Sequence, residues 1–247
     1  MKRIFSTMEV FAGLSGKRMF VVLGGMAALE LILFWVFGLS KQVYTFEDAV
    51  RYSFVPWVFG VAYFVMFWAL AWLPGRKIQY RYTLQRLTVS ERAATVIQTV
   101  YYASCFLLFL LTQVALVLIM AKLFENGRYF TEGPQGIFVD VRWNLFLRRL
   151  IPLWNVMPRV VSALCIVFSA IAAAHLNVML RRGKTPTVPV MLAAATAYSW
   201  GTSGTYYWAN GFPVAPIVVV VLIAALSLSI TYSVSRRETN TEDDPWD

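Results

Sequence analysis

The chain has 247 residues, of which 59% are hydrophobic and only 14% charged, and its mean hydropathy is +0.61. A composition this apolar excludes one or two water-soluble domains and is that of a polytopic membrane protein. The net charge of +9 then belongs to loops that set topology, and it gives no reason to expect nucleic acid as a partner.

Residues 1–18 are basic and partly amphipathic. Phe5, Met8, Val10, Phe11 and Leu14 suit an interfacial turn or two before the first span. No cleavable signal peptide is expected, because the apolar stretch after Lys2 and Arg3 is a full span without a small-residue cleavage site. Span one is expected over residues 19–39, with Gly24 and Gly25 as small packing residues and Glu30 as its one acid. A short polar loop is expected over 40–52. Span two covers 53–73, with Pro56 in its first turn and Pro74-Gly75 as its stop.

Residues 75–92 read GRKIQYRYTLQRLTVSER. Arg76, Lys77, Arg81, Arg86 and Arg92 face a single acid, Glu91. As a helix, the segment gathers Tyr80, Leu84, Leu87 and Val89 near one face and most arginines on the other. Beside membrane spans, such a helix lies on anionic lipid or docks a partner. Read blandly, it is a solvated basic loop. Span three follows over 93–123 and exceeds the roughly 20 residues a crossing needs, so it tilts or projects beyond the bilayer.

Residues 124–159 form the long loop, with turns at Asn126-Gly127 and Gly133-Pro134. An external amphipathic helix is expected over 137–154. Val141, Leu145, Phe146 and Leu150 would face lipid, and Arg142, Arg148 and Arg149 water. Spans four and five are expected over 160–180 and 186–200. Residues 201–213 suggest a broken end or re-entrant turn. Span six follows over 214–234, and an acidic, disordered cytoplasmic tail over 235–247. The chain is thus one transmembrane domain, 1–247, all-α, with six transmembrane helices.

The run TLQRLTVSER, leading straight into span three, resembles the cytoplasmic segment of type-2 ABC transporter permeases, where a T-L-x-R-L-P-V-S-x-x run precedes the third span. Thr88 stands where that family has Pro. The fragment FLRRLIPL is similar to the family's external segment before span four. The resemblance implies an ABC exporter subunit with a second permease subunit, identical or different, and a separate ABC ATPase. It makes Arg81, Leu84, Arg86, Leu87, Val89, Glu91 and Arg92 the ATPase-coupling residues of a cytoplasmic coupling helix. It also implies that this chain binds no cofactor, ATP and Mg being held by the partner ATPase.

With six spans, both termini share one side, and that side collects fourteen of the 22 Lys and Arg. Both termini are therefore expected in the cytoplasm of a cell whose inner (plasma) membrane holds the chain as a multi-pass protein. The arginines of the 124–159 loop oppose this count, but long loops obey the rule less strictly.

Chemistry requires converging groups, and few are present. Glu30, near the middle of span one, is the candidate for a substrate pathway or a subunit interface, or for local satisfaction by a hydroxyl. His175 reads as structural, because a zinc site or a Ser-His pair would need partners the sequence does not supply. Cys105 and Cys165 sit in apolar runs and read as packing residues. No metal spacing, nucleophile elbow or phosphate loop survives inspection. Residues 13–17 and 183–185 mimic a phosphate loop only in part. A small integral-membrane enzyme, a channel-like protein built around Glu30, and an accessory membrane protein without transport activity remain the alternatives.

Overall fold

The computed structural model describes residues 2–39, 45–71, 91–126, 145–150, 156–181 and 187–202. Every regular element among them is helical: α1 (Lys2–Leu33) with a π-helical extension (Phe34–Gly38), α2 (Phe46–Tyr52), α3 (Val55–Ala71), α4 (Glu91–Asn126), α5 (Leu145–Leu150), α6 (Val156–Arg181) and α7 (Thr187–Thr202).

Contacts between the helices give their directions. Along α4, Tyr102 meets Leu70, Phe106 meets Tyr63, and Phe109 meets Phe59, so α4 runs antiparallel to α3. On α6, Cys165 and Ser169 meet Tyr63 while Asn177 meets Ala71, so α6 runs parallel to α3. Trp200 of α7 lies against Phe59, which turns α7 the other way. Helix α1 follows α4, from Ser15 beside Tyr101 to Glu30 beside Gln113. The helices therefore alternate in direction. The start of α1, the end of α3, the start of α4, the end of α6 and the start of α7 share one end of the bundle. Helix α3 is central, packing against α1, α2, α6 and α7.

Its core is aromatic. Phe59 meets the rings of Trp200 at 5.0 Å, Phe109 at 5.1 Å and Phe146 at 5.7 Å, mostly tilted or edge-on, as the ring quadrupoles prefer. The outward faces are apolar as well: Phe20, Val21, Ile32, Trp35, Val61, Leu107, Leu111 and Leu118 are all exposed. Glu30, Gln98, Gln113, Ser169, Asn177 and Thr196 are buried instead. An apolar exterior around a core that also holds the buried polar groups is the arrangement of a bundle in hydrocarbon, where backbone bonds close within helices and side chains bond between them. Three helical stretches, Ser15–Gly38, Ala93–Glu125 and Ser162–Leu180, are long and apolar enough to cross a membrane; α2 and α3 together make a fourth if their bent pair is one span. The chain is a membrane-embedded helical protein.

Four expectations are corrected. Gly24 and Gly25 are exposed, and a Cβ at either would meet nothing within 4 Å, so they are not packing residues within this chain. Residues 2–18 are not a separate interfacial turn but the first half of an uninterrupted helix into span one. Its buried side includes Phe11 and Ser15, held against Tyr101 of α4, so this stretch packs on protein. The polar loop over 40–52 contains α2. Thr45 caps it by accepting from Asp48 N at 3.2 Å, with Glu47 and Asp48 in the first turn and Arg51 in the last, each on the favourable side of the helix dipole. Lastly, Phe146, Leu147 and Leu150 of α5 are buried in the bundle and do not face lipid, and Arg148 is half-buried. Phe146 packs edge-on against the rings of both Phe59 and Trp200, 5.7 and 6.3 Å away, a close fit that mobile acyl chains would not reproduce. Val141 and Arg142 lie outside the described residues.

The bend between α2 and α3 is 52°. Phe54 makes it by adopting φ +56°, a left-handed conformation costly for a side chain with a Cβ. Ser53 stabilises the turn by donating to Ala49 O at 2.7 Å, and the amides of Trp57 and Val58 return to Phe54 O at 3.0 Å. At the same end of the bundle, Gly38 lets α1 approach α2. A Cβ there would lie 3.0 Å from the Phe34 ring and 3.4 Å from Ala49 O.

Candidate functional site

The end of the bundle shared by the start of α1, the end of α3 and the start of α4 is where the basic segment is attached. Arg81, Leu84, Arg86, Leu87 and Val89 lie outside the described residues. Glu91 and Arg92 fall in the first turn of α4, which then runs unbroken for 36 residues. What the structure adds is how the two flanking helices are tied.

The last turn of α3 leaves carbonyls with no partner in their own helix. Two are gripped by side chains of other helices. The Tyr102 hydroxyl of α4 donates to Leu70 O at 2.7 Å and accepts from Gln98 Nε2 at 2.6 Å. Asn177 Nδ2 of α6 donates to Ala71 O at 3.2 Å. Both residues are buried, so the bonds form away from water and pin the chain where it leaves α3. The α3 exit, α4 and α6 are thereby held together at this end. Tyr102→Phe should lower stability by about 1–2 kcal/mol, because it frees Leu70 O and strands Gln98 Nε2 together. Thermal unfolding in detergent checks this, with Tyr198→Phe at an exposed position as the comparison.

Glu30 lies on the inner side of α1, 0% exposed, and Gln113 Nε2 of α4 donates to its Oε2 at 2.8 Å. Its partner is an amide and not the hydroxyl considered from the sequence. His175 is half-buried on α6, two positions before Asn177. Cys105 and Cys165 are buried free thiols on α4 and α6. Among the described residues no three His, Cys, Asp or Glu side chains converge as metal ligands do.

Gln98, Tyr102 and Gln113 were not singled out from the sequence. The signal was present: 98, 102, 106, 109, 113, 117, 120 and 124 recur at helical spacing and are all buried. Polar members of one stripe in an otherwise apolar span mark the side that meets protein.

Comparison with protein-family models, with curated proteins and with solved structures gave no match.

Proposed function

We propose that the chain is the membrane-spanning subunit of an ATP-binding-cassette exporter, working as a dimer of permease subunits and driven by a separate ATPase chain. The observation that carries this reading is the pinned base of the basic segment. A motor outside the membrane can move spans only through an element whose ends do not yield. In sequence, residues 75–92 follow an α3 terminus held by Tyr102 and Asn177, and their last two, Glu91 and Arg92, are already in the first turn of α4.

In this reading the segment is a cytoplasmic coupling helix. Leu84, Leu87 and Val89 fill a cleft in the ATPase, and Arg81, Arg86 and Arg92 meet acidic groups at its rim. ATP and Mg belong to the partner. The six-span layout is kept, with α2 and α3 as one broken second span and residues 214–234 as the sixth. Both termini then lie in the cytoplasm, in line with the basic residues gathered at that end. Thiol labelling of intact cells should mark a cysteine placed at Gly133 and spare one at Gly183, and the reverse pattern contradicts this orientation. The native thiols add little background because both are buried.

Affinity purification in a mild detergent tests the assignment. An ATPase chain that co-purifies and hydrolyses ATP supports it. Purification of this chain with no ATPase, from cells in which it is fully membrane-inserted, overturns it.

A further inference from the structure

The contact between α1 and α4 at Glu30 is half made. Gln113 Nε2 serves Glu30 Oε2. The other two oxygens of the pair, Glu30 Oε1 and Gln113 Oε1, are buried and have no hydrogen-bond partner among the described residues. Both are acceptors, so neither can serve the other. Gln113 is the one hydrogen-bond partner of the carboxylate among the described residues. A buried carboxylate with an oxygen left unpaired inside a membrane bundle is among the most expensive arrangements a protein can hold. Amide and carboxylate together therefore lack one positively charged group of atomic size.

A feature on the same helix lies one turn further on. From Phe34 to Gly38 the chain leaves α-helical bonding for π-helical bonding, with Leu39 N reaching Phe34 O at 3.1 Å. Such segments displace main-chain carbonyls from the regular ladder and recur at functional sites.

We propose that Glu30 and Gln113 form a binding site for one small monovalent cation, a proton or Na⁺, held between Glu30 Oε1 and Gln113 Oε1 in the seam of α1 and α4. A proton would bond to Glu30 Oε1, and the new O–H would donate to Gln113 Oε1. That closes a cyclic acid–amide pair with two hydrogen bonds and no oxygen left over. Na⁺ would bridge the same two oxygens. In either form the cation neutralises the carboxylate and adds a second tie between α1 and α4 beside the Gln113 hydrogen bond. The site does not depend on the exporter reading, since both residues and their burial belong to this chain alone.

Infrared spectroscopy of the purified chain, wild type minus E30Q, isolates the Glu30 bands. Samples are compared in NaCl and in choline chloride at equal ionic strength. A carboxylate band that moves with Na⁺ identifies sodium. A protonated-carboxyl band that ignores Na⁺ and shifts in D₂O identifies the proton. An ionised-carboxylate band unaffected by Na⁺ overturns the proposal. If E30Q does not accumulate, E30D keeps the carboxyl and moves its band, which assigns it to this residue.

Discussion

Leu87→Asp is expected to leave the chain in the membrane and to abolish both ATPase co-purification and substrate-stimulated ATP hydrolysis. In a docked amphipathic helix the few apolar anchors that fill a pocket dominate affinity. The arginines around them steer approach and fix register more than they hold the complex. If the segment docks as a helix, the sequence sets Leu87 between Leu84 and Val89 on its apolar face. A carboxylate there would enter a desolvated cleft without a counterion, a change of several kcal/mol and so of more than a hundredfold in affinity. Arg76→Ala, at the start of the segment, should change little. Membrane insertion is unaffected because the substitution adds one acid outside the spans. If the segment only rests on anionic lipid, Leu87→Asp will leave ATPase association intact, and the exporter assignment fails with it.

Phe59→Ala should be the most destabilising single truncation in the described bundle, lowering stability by about 3 kcal/mol. Truncating a buried Phe typically costs about 3–5 kcal/mol in water-soluble cores, combining lost transfer energy with a cavity. Inside a membrane the transfer part shrinks, because lipid is as apolar as the core, while lost packing remains. This places the estimate at the lower end. The cavity cannot close easily, since Phe59 is bounded by rings from α4, α5 and α7 at once. Val61→Ala, two residues away but 61% exposed on the outer face, should cost almost nothing. Thermal unfolding of both variants in one detergent reads the difference, and equal shifts would show that α3 is not the packing centre.

The interior and exterior of this bundle explain why spans were easier to read than contacts. Helical stretches long and apolar enough to cross a membrane fall at Ala93–Glu125 and Ser162–Leu180, over the apolar runs 93–123 and 160–180, because a long apolar run between charged ends favours one continuous helix. Helix α2 was missed for a local reason. A seven-residue helix carries too few apolar positions to show a period, and its signal was the Thr45 cap with acids in the first turn. The orientation of α5 was misread for a different one. In a membrane protein, Phe and Leu are at home both on lipid and in the core, so amphipathicity separates wet from dry and not lipid from protein. Phe146 was placed on the wrong dry side.

Glu30 shows the same boundary at a single residue. Sequence alone determined that this chain is helical and membrane-embedded and that Glu30 must avoid lipid, since each follows from the cost of polar groups in hydrocarbon. Only the tertiary structure decided that Gln113, 83 residues away, is what Glu30 meets. It also decided that Tyr102 and Asn177 hold the end of α3. Hydropathy is a property of a segment and can be summed along the chain. A hydrogen bond between helices depends on their relative rotation and depth, which are set by how rings such as Phe59, Phe109 and Trp200 interlock.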